Sequence, residues 1–449
     1  MLNYILKLKI LKLNFYKFKN KRINKNIISQ IYLNIFLTIS QVLFPVLMIT
    51  FYGLDDFGVW IFLTAIPSTL ALLNFNFSTA AKTEMSIYFN KNNIKKVNEI
   101  FNNCIFLTLI FVLILFFLTF IIVDLINFNL VILKNLNTSD LKIIILCIFL
   151  SFYLDVINGI FRTGITYSGR LDIDTYLQII FDILSKLLII IFGVIFGKLL
   201  FASYALLLIN IIKIFFYYLY FTILNKFLIL FSFKLISIKQ SIRLVKISLP
   251  YHLDIVSGLM KNSFQIIILG IFFNAQIVGL VSTFKTLFYF LPIRVWDVIT
   301  KVIFYELTKL YSNKRYALLK KNYFDLIKVI SFSGILFILI TIFLGKFVYN
   351  LWMNFSYHFD YFLLLLIIFD VCIYQLSHFI SIIARATNKF LDISLFTFSI
   401  NLVILLAAYG FFINQQSYLL LFILNLTGSM IILIFNSLKS RKLLNNLYS

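Results

Sequence analysis

The stretch LPYHLDIVSGLMKNSFQIIILGIFFNAQIVGLVSTFKTLFYFLPIRVWDVITK, residues 249–301, reads as two membrane-spanning helices joined by a tight turn. Unlike most of the chain, it sets charge inside apolar sequence: Asp254, Lys261, Lys285, Arg294 and Asp297. It also holds Pro250 and Pro292, two of the four prolines. An ionisable group in hydrocarbon costs about 3 kcal/mol or more, so it is usually aimed at a partner or a wet cavity. Function is therefore to be sought first in this pair of spans.

The rest of the chain fixes the class. Of 449 residues, 62% are hydrophobic and 13% charged, with a mean hydropathy of +1.00. A soluble domain of this length does not carry that balance, which belongs to a polytopic membrane protein. Spans of ~20 apolar residues are expected at 27–50, 58–77, 101–123, 142–165, 176–195, 199–224, 247–271, 276–300, 326–348, 361–384, 390–413 and 417–436. This layout gives an all-α integral membrane protein of about 12 helices. A basic leader (1–26) and a first six-helix half (27–224) precede a cytoplasmic linker (225–246), a second half (247–436) and a tail (437–449). The leader, Leu2–Lys25, alternates apolar and basic residues, as an interfacial amphipathic helix or a basic tail would. It lacks a small-residue cleavage pattern, so no signal peptide is expected.

With the amino terminus inside, the inner segments hold 29 basic residues and the outer loops only Lys134 and Lys198. That asymmetry places both termini in the cytoplasm. It also assigns the net charge of +23 to an anionic lipid surface and removes nucleic acid as a partner. Cys104, Cys147 and Cys372 lie in or beside apolar runs without CxxC spacing and read as buried thiols.

The first half repeats in the second. Tyr52-Gly53-Leu54-Asp55-Asp56-Phe57-Gly58-Val59 aligns with Phe273-Asn274-Ala275-Gln276-Ile277-Val278-Gly279-Leu280, and Glu84-Met85-Ser86 with Glu306-Leu307-Thr308. All four prolines fall in the paired helices: Pro45 and Pro67, then Pro250 and Pro292. Six spans per half make the repeat parallel, about an axis along the membrane normal. Proline in a span bends it and frees a carbonyl, which suits helices that move or line a cavity.

The run Phe51–Phe62, followed by Leu73-Asn74-Phe75-Asn76-Phe77-Ser78-Thr79-Ala80, resembles the opening of the polysaccharide-export family. That family includes the Wzx-type O-antigen flippases and is grouped with the multidrug and toxin extruders. Its pattern has an aspartate where Asn74 stands and often a glycine where Asn76 stands. Further likeness lies in Phe161-Arg162-Thr163-Gly164, Gly169-Arg170 and Ile247-Ser248-Leu249-Pro250-Tyr251. The resemblance implies a MATE-like fold and a flippase in the bacterial inner membrane. Its cargo would be undecaprenyl-diphosphate-linked oligosaccharide for lipopolysaccharide, O-antigen or another surface polysaccharide. The implied partners are that lipid, the surrounding membrane lipids and other glycan-assembly membrane proteins, with the chain itself a monomer.

Depth sorts the charges. Lys261 and Lys285 both lie ~14–15 Å from the outer surface, and neither has an acidic residue one turn away. They are the candidate contacts for a diphosphate, with Asp370 at similar depth as a competing structural partner. Lys213 is a secondary candidate. Asp254 and Arg294, each ~10 Å from the inner edge, are expected to pair as a gate or a fixed bridge. Asp182 and Lys186 (i,i+4) read as a self-satisfied pair, and Arg162 as a cation snorkelling to the inner surface. His252 and His378 read as packed histidines. With no Walker loop, HExxH helix or nucleophile elbow, neither a cofactor nor enzymatic chemistry is expected. The rival readings are an ion-coupled multidrug exporter of the same fold and a membrane glycan polymerase or ligase.

Overall fold

A computed structural model describes residues 21–69, 77–90, 92–125, 131–133, 137–225, 228–229, 231–312, 314–353, 359–387, 389–414 and 416–445. Most of the basic leader and the Asn74–Asn76 motif lie outside the described residues. All regular structure among them is helical. In chain order the helices of the first half are α1 (Lys21–Thr69), α2 (Phe77–Asn90), α3 (Ile94–Leu125), α4 (Thr138–Thr166), α5 (Leu171–Phe196) and α6 (Leu199–Leu224). The second half begins with α7 (Ile238–Leu259), which runs through a π-helical turn (Met260–Phe264) into α8 (Gln265–Phe272). Next, α9 (Ala275–Lys285) passes through a second π-turn (Thr286–Phe290) into α10 (Leu291–Ser312). The chain ends with α11 (Tyr316–Trp352), α12 (Tyr361–Ile380), α13 (Ile382–Ala386), α14 (Leu391–Ile413) and α15 (Leu419–Asn445).

Among the described residues, eleven segments are long and apolar enough to cross a membrane, against the twelve expected. The difference lies in α1, where Tyr32–Pro67 counts as one. Its helix breaks at Gly53, whose φ of 86° and ψ of 167° are open to glycine and strained for other residues. The break yields the first two legs of the bundle, 21–52 and 54–69. Two boundaries are corrected. The linker assigned to 225–246 gives way to helix at Ile238, and the last helix runs on to Asn445.

The repeat is visible as a contact of the two turns with each other. Gly58 abuts the turn of the second half, where an added Cβ would lie 2.0 Å from the Ala275 carbonyl oxygen. Its repeat mate Gly279 abuts the turn of the first half, where a Cβ would lie 2.9 Å from the Leu54 carbonyl. Between them Gln276 donates to Asp55 at 3.3 Å, two residues 221 apart and therefore related by the repeat. Each glycine thus admits the other half's backbone, and the pseudo-two-fold axis passes through this contact.

Burial then divides the molecule along that axis. At the turn end one apolar core takes residues from both halves, including Phe57, Trp60, Leu63, Val278, Val281 and Phe284. Toward the other end the cores separate. Phe101, Tyr217 and Leu244 belong to a first-half cluster, and Leu307, Leu319 and Ile383 to a second-half one. The halves are joined where the turns meet and are packed independently beyond.

The linker is fastened to the first half by three asparagines on one face of α3. Asn98 Oδ1 accepts from the Ile229 N–H (2.8 Å), Asn102 Oδ1 from Ser232 N–H (2.7 Å) and Asn103 Oδ1 from Ser237 N–H (2.9 Å). Glu84 on α2 adds an ion pair to Arg243 at 2.8 Å. At the far end of the same helix, Asn401 on α14 donates to Ser257 at 3.3 Å. Helix α7 therefore belongs to the first half at its start and to the second at its end, with Pro250 between them. Proline lacks the N–H that would complete the helical ladder there, so this is the natural place to bend.

Candidate functional site

Lys261 is the second residue of one π-turn, and Lys285 immediately precedes the other. Such turns interrupt the regular ladder and recur at functional sites. Both lysines are buried, at 4% exposure each. Lys261 Nζ donates to Asp370 Oδ1 on α12 (2.8 Å) and to Ser429 Oγ on α15 (2.7 Å). Ser429 itself donates to Asp370 Oδ1 (2.6 Å), and the Tyr374 ring lies 4.2 Å from the ammonium. The ion pair with Asp370, the structural partner considered for Lys261, is formed. Among the described residues Lys285 Nζ finds only neutral acceptors, the Lys261 carbonyl (3.1 Å) and Gln265 Oε1 (3.3 Å). Gln265 is oriented in turn by donating to Asn425 at 2.6 Å.

The expected pair between Asp254 and Arg294 is not made. Asp254 faces Arg385, just beyond α12, at 2.9 Å, and Arg385 also meets His378 Nε2 at 2.5 Å. Arg294 faces the other way, across the seam between the halves, where its Nε donates to Gln41 Oε1 on α1 at 2.6 Å. The two helices carry these residues on diverging faces, which spacing along each helix could not reveal.

The first half contains a cavity of about 440 Å³ between α1, α4, α5 and α6. Lys213, the secondary candidate, lines it and is paired with Asp155 from α4. Arg162, expected to snorkel to the inner surface, is held by a carboxylate. It holds Asp174 through Nε at 2.9 Å and Nη2 at 3.4 Å, and Gln178 and Tyr217 also donate to that carboxylate. The Asp182–Lys186 pair is present at 2.9 Å, and Ser40 of α1 donates to Asp182 at 2.7 Å. Beyond the spans, Lys82 on α2 stands near Asp174 and Arg162. Burial pulls its pKa below the ordinary lysine value, with Asp174 opposing and Arg162 adding to the shift.

Charge can now be sorted. Asp155, Asp174, Asp182, Asp254 and Asp370 each hold one cation: Lys213, Arg162, Lys186, Arg385 and Lys261. Lys285 and Arg294 have only neutral oxygens as hydrogen-bond partners among the described residues, and Asp370 acts on Lys285 from beyond ion-pair distance. Asp182 and Asp297 act on Arg294 from beyond ion-pair distance. Sequence reading picked Lys261 and Lys285 as equals. The structure separates them and adds Arg294 as the second cation lacking a carboxylate. It also brings in Gln41 and Arg385, which were overlooked. Gln41, a polar residue in an apolar run, carried a signal, whereas Arg385, just past the end of its expected span, carried none.

Solved structures share this fold over nearly the whole chain. An inward-facing multidrug resistance MATE family transporter of the MOP superfamily matches with a TM-score of 0.62, at 15% identity, over 92% of this chain and 99% of that one. An outward-facing structure of such a transporter matches with a TM-score of 0.58, at 16% identity, over 93% and 96%. A MOP superfamily transporter from Pyrococcus furiosus, described by the reverse polarity of its binding pocket, matches with a TM-score of 0.55 at 13% identity, over 93% and 96%. The chain therefore has the two-lobed MATE fold of that superfamily. No family profile and no curated protein matches it.

Proposed function

We propose that the protein is a flippase for undecaprenyl-diphosphate-linked oligosaccharide, working by alternating access between its two halves. The observation that carries this reading is that Lys285 and Arg294, two cations within the spans, make no ion pair among the described residues. In a low-dielectric interior a cation with no carboxylate in contact still attracts anions, which supports a phosphate cargo over a cationic drug. Arg294 on the seam meets the diphosphate, since its planar guanidinium makes paired contacts with phosphate oxygens. Lys285 adds its field from within the second half, and Lys261, held by Asp370, fixes the acceptor on which Lys285 rests. Lys213 serves with Asp155 in the first-half cavity. The prenyl chain stays in lipid, and the short loops leave no extramembrane domain for enzymatic chemistry. The shared core at the turns and the separate cores beyond them support opening at one end, with Pro250 as a bending point. The reading places the chain in a bacterial inner membrane, acting alone and without a cofactor.

A multidrug exporter is the second reading, favoured by Asp155, whose side chain is 51% exposed, and by the neighbours' function. Equilibrium binding to the purified protein in lipid nanodiscs separates the two. Undecaprenyl diphosphate is expected to bind with an affinity that falls as salt rises, and tetraphenylphosphonium not to compete. Saturable binding of the cation, with none of the diphosphate lipid, would sink the proposal.

A further inference from the structure

The first-half cavity has a composition that the handling of a diphosphate does not require. Its charges are already matched, Asp155 by Lys213, Arg162 by Asp174 and Asp182 by Lys186, so it attracts neither sign of ion strongly. What remains is a dense set of fixed donors and acceptors. Asn210, Gln178 and Ser185 line it beside the ion pairs, with the rings of Phe152 and Phe181 among them. Neutral overall, rich in planar polar groups and faced by aromatic rings, such a surface suits a sugar, whose hydroxyls both donate and accept while its C–H faces lie on rings. A volume of about 440 Å³ falls in the range of small-molecule sites, enough for a short glycan and not for a prenyl chain.

Position adds a second argument. Asp182, in the cavity wall, accepts from Ser40, and the next residue, Gln41, accepts from Arg294. The cation on the seam therefore adjoins the cavity through consecutive residues of α1. A phosphate held at Arg294 would direct whatever it carries toward the first half.

We infer that the first-half cavity is a carbohydrate subsite, which takes the first sugar residues of the lipid-linked glycan while the seam holds its diphosphate. This rests on the flippase reading and is tested so that the two can fail separately. Binding of undecaprenyl diphosphate and of undecaprenyl-diphosphate-N-acetylglucosamine would be compared in nanodiscs for the wild type, Asn210→Leu and Phe152→Leu. Thermal melting of each variant confirms that it is folded. The wild type is expected to bind the sugar-bearing lipid at least ~10-fold more tightly, about 1.4 kcal/mol. Both variants are expected to erase that margin without changing the affinity for the sugar-free lipid. Equal affinities in the wild type, or a margin that survives in both folded variants, overturns the subsite. Failure of both lipids to bind the wild type overturns the flippase reading instead.

Discussion

Replacing Lys285 and Arg294 together by glutamine abolishes surface-glycan export, measured as glycan on intact cells, while the protein still inserts and folds. Removing a cation that has only neutral partners relieves a desolvation cost and breaks no ion pair, so stability should hold or rise. The ligand loses a charge-assisted contact to Arg294 worth about 1.5 kcal/mol or more and the longer-range attraction of Lys285, which together weaken binding by more than ~10-fold. Each single change is expected to act less, Arg294→Gln more than Lys285→Gln, because Arg294 stands on the seam and Lys285 is sealed behind Gln265. Normal export by a well-folded double variant would remove the basis for an anionic cargo.

The opposite balance governs Asp370. Its change to alanine leaves the Lys261 ammonium at 4% exposure with Ser429 as its remaining side-chain acceptor. Breaking a buried pair from one side typically costs about 3–5 kcal/mol. Denaturant unfolding in detergent should show a loss of that size for Asp370→Ala. In Lys261→Met/Asp370→Leu both charges are gone, and most of the loss should be recovered. If the double variant is as unstable as the single one, the pair is not what holds α12 and α15 to the first π-turn. The two experiments also distinguish the lysines, since Lys261 is set by stability and Lys285 by ligand.

Much of the fold was legible because hydrocarbon imposes it. Long apolar runs gave the helices, and the matched Gly58 and Gly279 turns gave the repeat that the structure shows as a contact across the axis. The break within α1 falls at Gly53, inside the 51–57 segment between the first two expected spans, and its positive φ is what makes the turn. The site was legible in type and illegible in pairing. Depth along a helix brought out Lys261, Lys285 and Asp370, but rotation and bending decide which of them meet. Lys213 has no carboxylate one turn away on its own helix, and its partner Asp155 lies 58 residues away on another. Asp254 and Arg294 match in depth and still face different neighbours, Arg385 and Gln41. The π-turns at Lys261 and Lys285 had no sequence signature at all.

Transbilayer movement in proteoliposomes tests the central claim most directly, because it asks what the molecule moves. Undecaprenyl-diphosphate-linked oligosaccharide would be placed in one leaflet and its appearance in the other followed with a membrane-impermeant glycosidase, beside efflux of a cationic dye. The account predicts rapid movement of the lipid with the wild type, background rates with Lys285→Gln/Arg294→Gln, and no dye efflux. Dye efflux by the wild type, with the lipid left at its background rate, would contradict it.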